Sequence, residues 1–147
     1  MTESAPPLND TEMMILSSVM DRLVPPIDDL PGAGALGLAP EVYALARRHM
    51  PYRRSLAIFI DKIAQGWSAQ LPPSQKDALL RDLEAADGAT FSAVLELVYL
   101  AYYGDPRVHG RVSWRSGPLQ PEGFLLAPFN PEILRAVRQR RPFWRQT

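Results

Sequence analysis

Cysteine is absent from the 147-residue sequence, and this absence excludes three kinds of chemistry. Without a thiol the chain forms no disulfide, offers no thiolate to a metal and has no cysteine nucleophile. Long apolar runs are also missing, since no stretch reaches the roughly 18 residues that a membrane span needs. No basic residue precedes Arg22, whereas a secretory signal begins with a positively charged region. We therefore expect a cytoplasmic chain with no membrane span and no export signal.

Catalytic and cofactor-binding motifs are equally scarce. The glycines of PGAGALGL, residues 31–38, do not form GxGxxG after a strand, and neither GxxxxGK[ST] nor GxSxG occurs. His49 and His109 lack HExxH spacing and the acidic partners of a metal site or a catalytic group. Asp28 and Asp29 lie among turn residues, with no pocket to shift a pKa. We predict no catalytic residue, no cofactor-binding residue and no metal ligand in this chain.

What the sequence does contain is a globular composition, with 46% apolar and 22% charged residues in a chain long enough for one core. No segment alternates apolar and polar residues as a strand would. Between residues 56 and 67, apolar side chains recur at the spacing of a buried helical stripe. We predict an all-α fold, a compact bundle of about five to six helices that forms a single domain over residues 1–147.

Capping residues and prolines predict where the helices begin and end. Asn9 and Glu12 have the spacing of a capping box that opens the first helix, and Pro25-Pro26 ends that helix. Further helices are predicted over residues 40–49, from residue 51 to the break at residues 71–73, from a cap at Ser74, and over residues 90–103.

The helix predicted over residues 90–103 is apolar almost all round, which is typical of a helix at the centre of a bundle or beneath a partner. Gly104 is placed to cap it in the left-handed conformation. Residues 104–130 then have the composition of an extended strap, far longer than an ordinary connection. Asn130 is expected to cap a basic C-terminal helix and tail over residues 131–147.

Charge is distributed unevenly along the chain. Residues 1–106 carry 8 basic and 14 acidic side chains, and residues 107–147 carry 8 basic and 2 acidic ones, so the net charge is zero. The basic C-terminus could contact phosphates and bases, or it could fold back on the acidic part of its own chain. The chain is neutral overall and has no recognisable DNA-binding or RNA-binding motif, which argues against a nucleic-acid partner. We therefore expect no nucleic-acid partner.

Three segments together resemble the gluconate 2-dehydrogenase subunit 3 family. They are MDRLVPPIDDLPGAGALGL at residues 20–38, LPPSQKDALLRDLE at residues 71–84 and LVYLAYYGDPRVHGRVSW at residues 97–114. The resemblance implies a small, helical, non-catalytic subunit of a hetero-oligomer. Such a subunit binds and stabilises a large oxidoreductase of the glucose-methanol-choline type, which holds FAD and acts on sugar, polyol or other alcohol groups. Family members commonly carry a twin-arginine export signal, which this sequence lacks, so we expect a cytoplasmic complex, or a periplasmic one only if the partner carries the export signal.

The residues expected to bind the partner lie in the YYGDP segment, the strap and the tail, where aromatic and arginine side chains typical of interfaces are concentrated. They are Tyr102, Tyr103, Asp105, Pro106, His109, Trp114, Phe124, Phe129, Arg141 and Trp144. Two other interpretations stay open. The chain could be a stand-alone small-molecule-binding protein or enzyme that uses His109 and neighbouring residues, or YYGDP could merely terminate a helix.

Overall fold

The computed structural model describes residues 8–114, 123 and 128–140. These residues form helices and no named strand, which confirms the predicted all-α class. The α-helices are α1 (Asp10–Leu23), α2 (Ala39–Arg48), α3 (Met50–Ala64), α4 (Pro73–Ala86), α5 (Gly88–Gly104), α6 (Pro106–Arg111) and α7 (Arg135–Arg138), and a 3-10 turn covers Pro131–Leu134.

Helix α5 occupies the centre of the bundle, as its apolar sequence predicts. It packs against α2, α3, α4 and α6, while α1 packs against α2, α3 and α4. The inward side of α5 meets the buried stripe of α3, and Phe59 contacts Phe91 with 6.2 Å between ring centroids. The core side chains of α5 are Phe91, Val94, Leu97, Val98, Ala101 and Tyr102. The outward side of the same helix is left for the surface.

The first helix begins as its sequence predicts. The side chain of Asn9 accepts a hydrogen bond from the amide of Glu12 at 2.9 Å, and the Glu12 carboxylate accepts one from the amide of Asn9 at 2.7 Å. These two bonds form a complete capping box, which satisfies amides that have no partner within the helix.

The predicted cap of the fourth helix is wrong by two positions, because the N-cap residue is Pro72 and not Ser74. Helix α4 begins at Pro73, and no side chain accepts from its first turn, so Ser74 lies inside the helix. Proline suits the first helical position because its missing amide is not needed there. Asp77 instead accepts two hydrogen bonds from Arg22 of α1, both at 2.8 Å. The pair joins α1 to α4.

The predicted left-handed cap at Gly104 and the start of the strap are also wrong. Gly104 is the last residue of α5 and has no positive φ. The break falls at Asp105, which is extended with φ −77° and ψ 130°, because the residue before a proline is disfavoured in helical geometry. Helix α6 follows at once over Pro106–Arg111, so the first part of residues 104–130 is helical and not extended.

Residues 27–38, which we call the glycine loop, lie tightly against α1. A Cβ atom on Gly34 would lie 1.9 Å from the Ser17 carbonyl oxygen, and one on Gly32 would lie 2.4 Å from the Asp21 carboxylate. The hydroxyl of Ser17 donates to the Gly34 carbonyl at 3.2 Å, and the amide of Ala35 donates to Asp21 at 2.9 Å. The glycines are therefore needed for close contact between the loop and the helix.

Residues 1–115 form one compact unit and residues 116–147 form a second. In the second unit the Asn130 side chain accepts from the amide of Glu132 at 2.9 Å, which confirms the predicted cap. The helical segment it opens is shorter than expected, ending at Arg138. The remainder of the predicted tail, residues 141–147, lies outside the described residues. The single-domain assignment stays a prediction.

Candidate functional site

The outward side of α5 presents an exposed apolar surface, which we call the aromatic face. It consists of Leu95, Tyr99, Leu100 and Tyr103, of which the last three are 43%, 51% and 57% exposed. Tyr99 and Tyr103 are four residues apart, so their rings lie along the same side of the helix, with 6.1 Å between centroids. Tyrosine provides a large contact area with a polar end, which is why it is enriched at interfaces.

A groove lies on each side of Leu100. The first has a volume of about 560 Å³, and its described lining residues are Ser92, Leu95, Glu96, Tyr99, Leu100, Tyr103 and Gly104. The second, of about 450 Å³, is lined by Leu38, Glu41, Leu45, Leu100, Ala101, Gly104, Asp105 and Pro106. The described lining of the first belongs to α5 alone, whereas the second separates α2 from the α5–α6 junction. Leu100 is therefore a ridge between two depressions.

Helix α6 is fixed beside this surface by one buried side chain and two arginines. Val108 has no exposed surface. Arg107 donates to the carbonyl oxygen of Leu36 at 2.8 Å, and Arg111 donates to Asp28 at 2.8 Å and to Asp29 at 3.0 Å. Both contacts reach the glycine loop, so the first and third segments of the family resemblance lie against each other.

Asp105 organises the junction between α5 and α6. Its carboxylate accepts from the amide of Arg107 at 2.8 Å, which caps α6, and from the Arg107 guanidinium at 2.9 and 2.8 Å. These hydrogen bonds from the Arg107 side chain, partly opposed by burial, lower the pKa of Asp105. Asp105 is therefore the N-cap of α6, and its carboxylate is already engaged with the first turn of that helix.

His109 and Trp114 lie at the end of α6. The Nε2 atom of His109 is hydrogen-bonded to the carbonyl oxygen of Tyr103, and since a carbonyl only accepts, Nε2 carries the proton. The His109 ring lies 6.1 Å from the Trp114 ring, centroid to centroid, and Trp114 is 58% exposed. The histidine therefore links α6 to the end of α5 and supports an exposed tryptophan.

The structure separates the residues predicted to bind a partner into four groups. Tyr103 is exposed in the aromatic face, Pro106 at the start of α6 and Trp114 after its end, and Phe129 is 67% exposed in the second unit. Asp105 and His109 are half-buried and hydrogen-bonded within the first unit. Tyr102 is 5% exposed because it falls on the inward side of α5, so we remove it from the docking residues. Phe124, Arg141 and Trp144 lie outside the described residues.

Sequence reasoning missed several residues of this surface. Tyr99 and Leu100 were recognisable as apolar residues of an all-round apolar helix, but which of them face outward depends on how α5 sits among its neighbours. Arg107 and Arg111 gave no sign of their partners, since Arg111 and Asp28 are 83 positions apart. Only the adjacent Asp28 and Asp29 in the glycine loop could have indicated this contact, because two neighbouring carboxylates are commonly paired with a cation.

The described part of the chain contains neither a cluster of metal-ligand side chains nor a membrane-spanning helix. Among residues 8–114, 123 and 128–140, no three His, Asp or Glu side chains are grouped to hold a metal ion. Within the same residues, no helix is long and apolar enough to cross a bilayer. Beside Gly32 and Gly34 the space is filled by α1, which leaves no room for a phosphate group at those two glycines.

Comparison with protein-family models, with curated proteins and with solved structures gave no match to this chain.

Proposed function

We propose that this chain is a non-catalytic subunit that docks on a large FAD-dependent oxidoreductase of the glucose-methanol-choline type, acting on sugar, polyol or other alcohol groups. The family is the one that the sequence resembles, gluconate 2-dehydrogenase subunit 3. The observation that carries the proposal is the aromatic face. Three large side chains of the most central helix, Tyr99, Leu100 and Tyr103, are exposed together instead of being covered by the bundle.

Contiguous exposed apolar surface on a soluble protein commonly marks an interaction site. Here it combines tyrosines with a leucine ridge and grooves on both sides; an exposed proline begins the adjoining α6, and an exposed tryptophan follows its end. Buried aromatic anchors that fill pockets supply most of the binding energy in protein interfaces. A partner with apolar side chains placed to enter the two grooves would cover this surface.

The two side chains that a catalytic function would use, Asp105 and His109, already make hydrogen bonds within the fold. Asp105 holds Arg107 through both carboxylate oxygens, and His109 is bonded to the end of α5. A general acid or base needs an oriented partner and access to a substrate proton. In this arrangement both side chains fix the position of α6, which supports a structural role for the YYGDP segment in presenting the aromatic face.

In this proposal FAD and the substrate bind to the partner. The fit of the glycine loop against α1 supports that assignment, since a flavin pyrophosphate needs open space beside glycine and free amides. The partner's compartment then determines where the complex works. A cytoplasmic location stays a prediction, tested by fractionation of the native host with antibodies against the tagged chain.

Small-molecule binding is the second candidate, favoured by one observation. The first groove, at about 560 Å³, falls in the usual volume range of ligand pockets, about 300–1,000 Å³. Its described lining is one side of one helix, however, and ligand pockets normally enclose most of the ligand surface. A protein partner suits such an open groove better than a small molecule does.

The test is purification of the tagged chain from its native host under gentle conditions. We expect a large chain to co-purify and the eluate to have the absorption spectrum of a flavin. Recovery of a folded, monodisperse and colourless monomer would count against the proposal. In that case, ligand screening by thermal shift on the isolated chain would test the small-molecule candidate.

A further inference from the structure

The corner between α2 and α3, residues 47–54, is a concentrated basic surface that we call the basic corner. It contains four arginines, which is half of the basic residues in residues 1–106. No acidic residue occurs between Glu41 and Asp61. The segment therefore carries strong positive charge in a part of the chain that is otherwise acidic.

Arg48 and Arg54 of the basic corner differ from most of the described cations outside it. The exposed side chains of Arg48 and Arg54 make no salt bridge with a residue that the structure describes, and Arg47 lies 5.8 Å from the Tyr43 ring. The cations paired with carboxylates are Arg22 with Asp77, Lys62 with Asp87, Arg107 with Asp105, Arg111 with Asp28 and Asp29, and Arg135 with Glu132.

The helix dipole does not explain the position of Arg54, the exposed arginine of the second pair. Arg47 and Arg48 end α2, where a positive charge is favourable to the helix dipole. Arg53 and Arg54 lie close to the beginning of α3, which has no acidic residue in its first turn and no side-chain cap. Cations at that end oppose the dipole. Arg54 is exposed and makes no salt bridge with a described residue, so this position gives it no evident stabilising role, which indicates a role in recognition.

We propose that the basic corner binds an acidic segment of a protein partner, one that also brings an apolar side chain to Met50. Met50 is 62% exposed between the two arginine pairs. Methionine adapts to partners of different shape, and arginine binds carboxylates in a bidentate manner. Acidic side chains on both sides of one apolar residue would match this order of charges.

A short acidic segment fits the surrounding charges better than an extended polyanion does. Without the four corner arginines, residues 1–106 carry 4 basic and 14 acidic side chains. At physiological ionic strength, charges interact over roughly 8 Å, so the attraction of the corner is local. A duplex or an anionic bilayer would also approach the acidic remainder and be repelled, whereas a peptide of a few residues need contact only the corner.

The proposal for the basic corner does not depend on the proposed function, although Tyr52 within the corner is hydrogen-bonded to Glu96, which lines the first groove. Helix α2 begins beside the second groove, at Leu38 and Glu41, and ends at the corner. A helix of 10 residues is about 15 Å long, so its two ends can contact different segments. The partner at the corner can be the flavoenzyme or another protein.

The test uses the full chain and a short fluorescent peptide of glutamates with one central leucine. We expect saturable binding by fluorescence anisotropy at about 0.01 M ionic strength, weaker at about 0.15 M. Arg48→Glu/Arg54→Glu should weaken the affinity roughly tenfold, because two attractions become repulsions. The matched control, Arg81→Glu/Arg138→Glu, makes the same change in net charge at exposed arginines outside the corner and should change the affinity less than about twofold.

Three results would overturn the proposal: no binding at low ionic strength, an equal loss in the control variant, or tighter binding of duplex DNA or phosphatidylserine vesicles than of the peptide. Circular dichroism checks that the variants are folded. If the double charge reversal does not fold, Arg48→Gln/Arg54→Gln removes the charges without adding repulsion. That variant should still lose at least about threefold in affinity.

Discussion

At the scale of single residues, Gly34 has the least room for a side chain. A Cβ atom there would lie within 2.8 Å of two backbone atoms of Ser17, so α1 or the glycine loop must move. We expect Gly34→Ala to lower the free energy of unfolding by about 1–3 kcal/mol, measured by urea denaturation.

Gly104→Ala is the control for that experiment. Gly104 has no atom within 4 Å of the Cβ position and lies in helical geometry at the end of α5. Alanine should leave the free energy of unfolding unchanged or raise it by up to about 1 kcal/mol. Losses of similar size in the two variants would contradict the different roles that we assign to these glycines.

The bridge between Arg22 and Asp77 predicts a dependence of stability on pH. The hydrogen bonds from Arg22 lower the pKa of Asp77 in the folded chain, so the ionised carboxylate stabilises the fold above its ordinary pKa of about 3.9. That stabilisation is lost as the pH falls through the lowered value. We expect Asp77→Asn to be less stable than the wild type at pH 7, with the difference shrinking below about pH 4.

Asp82→Asn provides the comparison on the same helix. Asp82 is exposed and makes no salt bridge with a described residue. Thermal unfolding at a series of pH values should give a smaller difference from the wild type than Asp77→Asn gives at pH 7. An Asp77→Asn deficit that stays constant down to pH 2 would show that the bridge is not the cause.

At the scale of elements, α6 is a six-residue helix that depends on contacts with the rest of the fold, because helices this short are not stable alone. Val108 is its fully buried residue. We expect Val108→Ala to lower the free energy of unfolding by about 1–3 kcal/mol. Val112→Ala, at the 54% exposed end of the helix, should change it by less than about 0.5 kcal/mol. Equal effects in the two variants would show that Val108 does not hold α6 against the core.

The long helices could be predicted from sequence because their signals are local. Asn9 and Glu12 define a cap within one turn, and the apolar stripe of α3 is visible in its spacing. Helix α6 could not be predicted in the same way. Asp105-Pro106 and Gly110 suggested a loop, and the stabilising contacts come from Leu36, Asp28 and Asp29, more than 70 positions away.

The candidate site was predicted only in outline. The YYGDP segment and Trp114 were singled out, and the structure leaves Tyr103 and Trp114 exposed. The outward position of Leu100 and the burial of Tyr102 depend on the rotation of α5 within the bundle. That rotation is set by packing against α2, α3 and α4, since a helix apolar almost all round has no polar side to indicate it.

At the scale of the whole molecule, the first unit presents two surfaces of different character. The aromatic face is apolar and lies on the central helix, whereas the basic corner is charged and lies at the far end of α2. An apolar surface contributes affinity through burial, and a charged one contributes orientation and rate of association. Together they suit a chain that works by binding other proteins.

The measurement that tests the central claim most directly is the flavin absorbance per tagged chain after purification from the native host, compared between the wild type and Leu100→Glu. Leu100 is 51% exposed, so the charge should leave the fold intact while disrupting an apolar interface. We expect the ratio to fall at least about tenfold. Met14→Glu, at a 72% exposed apolar position on α1, should keep the wild-type ratio. An unchanged ratio in Leu100→Glu, or no flavin with the wild type, would contradict docking through the aromatic face.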